Sequence, residues 1–245
     1  LLTIFAHNKI FKTNSNKTII LIHGRTSNRW RPIKLLQLFK DSGLHKKYAI
    51  FLPDLRNSGL SESGKTLMGY EFAEDIHFII AFLNKKYKQK EFITYAYSMG
   101  AMGIQMLFNR PEKEFEKSRK YIKKIVFDSP LVNVKKNIIN EASRGGIPSI
   151  IISYGYWMYN KMNNKILDSL LFQKNYKAME HVPLLILQSK KDESTRFEFL
   201  QEELKNMTQF LKQPIVKYFN SGSHTVSYVS NKKEYTALVK RFILN

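Results

Sequence analysis

The 245-residue sequence predicts a doubly wound α/β fold: one mostly parallel sheet, helices on both faces, a single domain. Three observations point there. Six short apolar runs recur along the chain, amphipathic helical patterns separate them, and the runs are continuous rather than alternating. Strands covered on both faces of a parallel sheet need continuous runs of this kind.

The head, LLTIFAHNKIFK, reads as an antiparallel edge strand ahead of that set. TIILIH (18–23) is the first β-branched run and stops at Gly24; YAIFLP (48–53) is the second and leads into the loop DLRNSGLSESG. Residues 91–97, 122–128, 182–189 and 214–219 complete the six. Between them, Phe72, Ile76, Ile79, Ile80, Leu83 and Tyr87 recur at spacings that place them on one helical face. Residues 197–211 and 232–244 read as helices in the same way. Residues 131–181 break the alternation. They hold helix-like pieces interrupted by Gly145-Gly146 and Pro148, and about fifty residues is too long for a plain crossover. The expectation is a helical cap inserted over one end of the sheet.

Composition sets limits on function. With 43% hydrophobic and 13% aromatic residues, the chain can bury a full core. The absence of cysteine excludes disulfides, thiolate metal sites and a cysteine nucleophile. Forty basic against twenty acidic residues give a net charge of +20. The lysines are scattered, however, and the densest run, KSRKYIKK (117–124), holds one aromatic and precedes a strand. No nucleic-acid role is expected, whereas association with an anionic membrane surface stays open. No apolar run reaches the ~18 to 20 residues that span a bilayer; the longest is IPSIIISYGYWMY (147–159). A cytoplasmic location is expected, with anchoring by a segment ahead of Leu1 as the alternative, since the chain starts Leu-Leu-Thr rather than with methionine.

The stretch FITYAYSMGAMGIQ carries the chemistry. Strand-forming residues stop at Ser98, and the small residues Ala96 and Gly100 flank it at two positions either side before a helix begins. A nucleophile elbow has this form: a sharp strand-to-helix turn exposes the hydroxyl and leaves no room for larger neighbours. Gly103, further on, would let the helix approach the sheet. Serine is a poor nucleophile near neutral pH and needs a histidine oriented by a carboxylate, here in the order serine, acid, histidine. His7, His23, His45 and His77 precede Ser98, and His181 sits just before a strand. His224, in FNSGSHTVS after the last predicted strand, fits the role of base. For the acid, Asp192 follows PLLILQSKK at the C-terminal end of a strand, where catalytic groups gather in such sheets. Asp128, which ends IVFD, is the runner-up, and Glu193 comes third. The backbone N–H groups of Arg25, just past LIHG, and of Met99, at the helix start, would form a two-donor oxyanion hole.

With these residues the chain resembles the α/β-hydrolase superfamily, through LIHG (21–24), PDLRNSGLS (53–61), YSMGAMG (97–103), Asp192 and His224. The similarity runs over nearly the whole chain. DLRNSGLS and VFDSP look like bacterial hydrolases described as serine aminopeptidase-like or acyltransferase-like, some of which carry an N-terminal membrane segment. Two departures stand out: Ala96 replaces the usual glycine, and Arg25 follows His-Gly where many relatives have a small or apolar residue. The second would narrow or charge the mouth of the site.

The resemblance and the residues together imply a serine hydrolase that cleaves a small carboxylic ester or related acyl bond through an acyl-enzyme on Ser98. A peptidase or acyltransferase using the same three residues, and a non-catalytic binding protein on this scaffold, are the alternatives. A peptidase that holds a free amine needs acidic residues, and in the insertion Glu141 and Asp168 stand nearly alone among lysines. No cofactor and no metal are implied: the histidines lack ligand spacing, and RNSGLSESGK lacks the spacing of a phosphate loop, leaving Asp54 and Arg56 structural roles. Ile150, Ile151, Ile152, Tyr154, Tyr156, Trp157 and Tyr159 exceed what one helical face requires. They either pack the cap onto the core or line an acyl pocket. On the second reading Trp157 contacts substrate, and acyl chains of about four to eight carbons are preferred.

Overall fold

Strand β2 (Lys17–Ile22) is buried from Thr18 onward, and the period-two alternation of a strand divides its side chains between two layers. Ile20 and Ile22 enter one apolar cluster, Ile19 and Leu21 the other. Strand β3 (Ala49–Leu52) is buried throughout, and β4 (Glu91–Tyr97) from Phe92 onward. In β4, Phe92 and Ala96 face the first layer, while Ile93, Tyr95 and Tyr97 face the second. Strands β5 (Ile122–Asp128), β6 (Leu184–Ser189) and β7 (Ile215–Phe219) follow in the chain.

The computed structural model describes residues 9–11, 15–207 and 209–245. Its strands form one sheet in the order β1-β3-β2-β4-β5-β6-β7, where β1 is Lys9–Phe11. Every pairing is parallel except β1 with β3. The antiparallel edge strand expected in the head is thus present as Lys9–Phe11; residues 1–8 and 12–14 lie outside the described residues. The predicted strands are all present: 91–97 and 122–128 keep their bounds, 18–23 shifts to 17–22, and the other three are trimmed. β3 stops before Pro53 and β6 begins after Pro183, because proline has no N–H for the ladder.

Register decides where the chemistry collects. Ile22 pairs with Ala96, Tyr97 with Asp128, Asp128 with Leu187, and Ser189 with Phe219. The strands therefore end side by side, and the loops after β2, β4, β6 and β7 open on one rim. After β3 the chain passes over β2 to place β4 on the other side, a reversal of strand order that opens a crevice at the C-terminal ends.

The helices among the described residues begin with α1 (Leu35–Asp41), α2 (Phe72–Tyr87), α3 (Met99–Asn109) and α4 (Phe115–Tyr121). Next come α5 (Val134–Arg144), α6 (Ser149–Met162) and α7 (Phe172–Met179) in the insertion. The last are α8 (Phe197–Lys205), the single turn α9 (Ser227–Ser230) and α10 (Lys232–Leu244). In α2, Phe72, Ile76, Ile79, Ile80 and Leu83 are all buried, as their spacing predicts, and the helix ends where Lys88 turns left-handed. Helix α8 is shorter than its pattern: Asn206 caps it, and tight turns from Asn206 N–H to Glu203 and Met207 N–H to Leu204 bring Met207 into the core.

The insertion contains helices and one isolated antiparallel bridge, Asn133 to Leu171, but no strand. Glu203 of α8 fastens both of its ends. Its buried carboxylate accepts hydrogen bonds from Asn133 Nδ2 and from the Gln173 backbone N–H, each at 2.9 Å. Helix α7 packs against α3, where Asn175 Nδ2 lies 3.4 Å from Gln105 Oε1, and the insertion reaches the rim of the sheet through Leu131 and through Asn137 and Glu141 of α5. The cap covers the rim with one helix rather than with its whole length.

The loop after β3 is structural, as expected. Asp54 accepts from the Arg29 backbone N–H at 2.8 Å, pairs with the Arg29 guanidinium and holds the Leu60 N–H. Arg56 pairs with Asp75 at 2.8 Å and Glu74 at 2.9 Å.

Candidate active site

Ser98 is the residue between β4 and α3, and its backbone sits at φ 50°, ψ −120°. A non-glycine residue adopts such a conformation only when its surroundings over-determine it. The surroundings here are close backbones. A Cβ on Gly24 would lie 2.9 Å from Ser98 Cβ, and one on Gly100 would lie 2.5 Å from the His23 carbonyl oxygen. Gly100 thus lets α3 approach the end of β2. Gly103 serves a different contact from the one its position suggested: a Cβ there would meet Phe72 of α2 at 2.7 Å, not the sheet.

His23 is buried and holds the loop before Arg25. Its Nε2 accepts the Leu55 N–H at 3.0 Å, so the proton resides on Nδ1, which donates to the Gly24 carbonyl at 2.8 Å. Burial pushes its pKa down, which agrees with a neutral ring.

His224 follows β7. Gly222, at φ +97°, has no room for a Cβ beside Ser227, and this gives the loop its turn. The loop is tied from both sides. Thr225 N–H donates to Ser129 Oγ at 3.1 Å, Arg31 Nη2 reaches Thr225 Oγ1 at 3.1 Å, and Lys34 Nζ binds the Thr225 carbonyl. His224 Nδ1 then donates to Asp192 Oδ2 at 2.9 Å. The Asp192 side chain is fully buried and that of His224 is 28% exposed.

Asp192 is held as a carboxylate. Ser194 N–H and Thr195 N–H both donate to Oδ1, at 3.0 and 2.9 Å, and Thr195 Oγ1 lies 2.9 Å from Oδ2. Burial raises its pKa, but the His224 hydrogen bond and charge together with the Thr195 contacts outweigh burial and leave it below the ordinary value. Thr195 Oγ1 also lies 3.2 Å from His224 Nδ1, so it touches both partners. The sequence reading missed Thr195. The signal was present: Asp-x-Ser-Thr just after a strand is the pattern in which an aspartate caps the amides two and three residues on.

The structure sets Asp128, the runner-up acid, away from His224. Tyr235 of α10 donates to its Oδ2 at 2.5 Å and Ser129 Oγ to its Oδ1 at 3.0 Å, while Tyr95 bonds the Tyr235 hydroxyl. Glu193 turns outward to Arg144 at 2.8 Å. Burial pushes the Asp128 carboxyl up to about 6, against the hydrogen bonds from Tyr235 and Ser129 and the charge of Lys34. Unfolded, the group would titrate near 3.8. Between those values the native chain keeps a proton that the unfolded chain has released, so stability falls as pH rises through the window. A shift of this size amounts to roughly 3 kcal/mol. Asp128→Asn removes the titration. Urea unfolding of both proteins from about pH 4 to about pH 7 should show the wild type losing roughly 3 kcal/mol relative to the variant; parallel curves would place the Asp128 proton elsewhere.

Ser98 and His224 line two adjoining cavities of about 210 and 530 Å³. The smaller lies under the cap, walled by Asn137 and Glu141 of α5, by Ser194 and Thr195, and by the apolar Met68 and Leu131. The larger opens past Gly24 to Trp30, Arg31 and Tyr97, and no carboxylate is among its lining residues. Arg25 borders both, and Met99 borders the smaller. Helix α5 is braced on the acid loop, with Asn137 Nδ2 donating to the Ser194 carbonyl at 2.6 Å and Asn140 Nδ2 to the Glu193 carbonyl at 2.8 Å. Glu141 faces the cavity but is paired with Arg144 at 3.2 Å.

Trp157 is the sequence expectation that the structure moves. It lines neither cavity and is 55% exposed on the outer side of α6. Ile152, Tyr156 and Asn160 are the inward residues of that helix, and Trp157 lies past the edge of their face, beside the exposed Tyr154. Among the described residues no group of histidine and carboxylate side chains is placed to hold a metal ion, and no helix is long and apolar enough to cross a membrane.

A family model described as the alpha/beta hydrolase fold matches residues 17–146. No curated protein sequence matches the chain. Among solved structures, an esterase of Pyrococcus furiosus superposes with a TM-score of 0.70 at 21% identity, covering 94% of this chain and 83% of that one. An esterase from Exiguobacterium antarcticum gives 0.62 at 15% identity over 98% and 95% of the two chains. A monoacylglycerol lipase of Paleococcus ferrophilus gives 0.60 at 16% identity, over 96% and 97%. At these identities the likeness is one of fold.

Proposed function

Because this chain belongs to the α/β-hydrolase fold family, we propose that its rim site is that of a serine hydrolase acting on a carboxylic ester or related acyl bond. The carrying observation is a backbone-strained serine that shares its cavities with a histidine held by a buried carboxylate. In this reading Ser98 Oγ attacks the acyl carbon and His224 Nε2 takes its proton. Asp192 keeps the other ring nitrogen protonated and supports the positive charge that forms. The backbone N–H groups of Arg25 and Met99 hold the oxyanion. Collapse of the tetrahedral intermediate breaks the bond to the leaving group, which takes the proton from His224. Water, deprotonated by the same histidine, then attacks the acyl carbon; the bond to Ser98 breaks, the acid leaves, and His224 returns its proton to Ser98 Oγ. Ester-cleaving proteins among the structural neighbours support this reading through the fold they share. The short cavity under the cap, walled by polar groups, favours small acyl groups over the chains that a Trp157-lined pocket would select.

A fluorophosphonate probe tests the proposal, since it forms a phosphonyl bond only to an activated serine. Mass spectrometry should find the label on the peptide bearing Ser98, and heat denaturation should prevent labelling. A native protein that stays unlabelled while a known serine hydrolase in the same tube reacts would instead indicate a binding protein on this scaffold.

A further inference from the structure

Helix α6 is anchored by one face and bare on the other. Its inward residues are Ile152, Tyr156 and Asn160, 6–9% exposed, with Tyr156 donating to Asp168 Oδ1 at 3.0 Å and Asn160 Oδ1 accepting the Leu167 N–H at 3.0 Å. At 100° per residue these three define one side of the helix. The opposite side carries Ile150 at 77% exposure, Ile151 at 58%, Tyr154 at 60%, Trp157 at 55% and Met162 at 77%. Exposed apolar residues scattered singly are ordinary, but a contiguous stripe marks a contact surface.

The charge around the stripe identifies what would cover it. From Ala142 through Leu167 the chain has no aspartate or glutamate; Lys161 and Lys165 are basic, and Arg144 is paired with Glu141 and Glu193. Lys161 Nζ lies 5.1 Å above the Trp157 ring, and Trp157 packs against Tyr154 at 5.9 Å between centroids. Lys165 stands exposed beyond the helix end. Aromatic rings and isoleucines on one face with lysines at its border suit the boundary between lipid headgroups and acyl chains, where lysine stems lie along apolar surface and the amines reach phosphate. A second positively charged protein surface would be repelled, and a net charge of +20 favours an anionic one. The helix is 14 residues long, too short to span a bilayer but sufficient to lie in its surface.

We propose that the outer face of α6 docks the protein onto an anionic lipid surface, with Ile150, Tyr154, Trp157 and Met162 entering the interface and Lys161 and Lys165 meeting the headgroups. The preceding helix, α5, walls the cavity beside Ser98, so docking would set the mouth of the site near the membrane. The inference stands apart from the proposed catalysis, because binding is measured without turnover.

Co-sedimentation of the full chain with phosphatidylcholine vesicles, with and without phosphatidylserine, tests it. Binding is expected to the mixed vesicles and only weakly to phosphatidylcholine alone. Trp157→Ser and the pair Ile150→Ser, Ile151→Ser should each weaken it at least about tenfold, and Lys161→Gln about fivefold. These residues are exposed, and unchanged far-ultraviolet circular dichroism would show that each variant folds. Two results overturn the proposal: no binding of the wild type to either vesicle, or serine variants that bind as tightly as wild type, which would assign attraction to the overall charge. A third is a dimer in gel filtration that the serine variants convert to monomer, since a second copy would then cover the face.

Discussion

Ser98→Ala is expected to lower kcat/KM on an activated ester by roughly 10⁴-fold or more, with the melting temperature little changed. The hydroxyl has no protein hydrogen-bond partner among the described residues, and alanine keeps the Cβ that the tight backbone contacts already accommodate. His224→Ala should cost a similar factor, and the double variant little more than either alone, because in the proposed mechanism nucleophile and base act as one unit. A progress curve on a short p-nitrophenyl ester measures all three. Full turnover by Ser98→Ala would remove the serine from the chemistry altogether.

Asp192→Asn carries the second large effect, about 10⁴-fold in kcat. The amide would present an N–H2 or a carbonyl to His224 Nδ1 where the carboxylate now accepts at 2.9 Å, and it offers no charge to an imidazolium. With the ring in the wrong tautomer, Nε2 cannot take the serine proton. Ser194 N–H and Thr195 N–H need an acceptor from this side chain, which keeps the asparagine Oδ1 on them and turns its N–H2 toward His224. Asp128→Asn is the control. It changes a carboxylate that touches Tyr235 and Ser129 but not His224, and should leave kcat within several-fold while altering stability as described above. Inactivation by Asp128→Asn with an active Asp192→Asn would reverse the assignment of the acid.

Much of this was readable before any coordinates. The mainly apolar runs at 91–97 and 122–128 became β4 and β5 with the same bounds, because their β-branched and aromatic residues sit buried at the centre of the sheet. The small residues around Ser98 told of a tight turn since only close backbone explains them, and the structure supplies that backbone in Gly24 and His23. Choosing between two acids at strand ends was harder. Asp128 and Asp192 look alike in sequence, and they differ because Tyr235, 107 residues further on, reaches Asp128.

The sequence by itself determined the strands and which side chains would lie at their C-terminal ends, since local propensity and period carry that information. Tertiary structure decided which faces point inward. Helix α6 is apolar on both sides, so no period distinguishes Ile152 and Tyr156, which became core, from Ile150 and Trp157, which did not. Contacts outside the helix mark the inward face, where Tyr156 donates to Asp168 and Asn160 accepts the Leu167 N–H, while Glu203 ties Asn133 and Gln173 to α8 from 70 and 30 residues away, which no local pattern encodes.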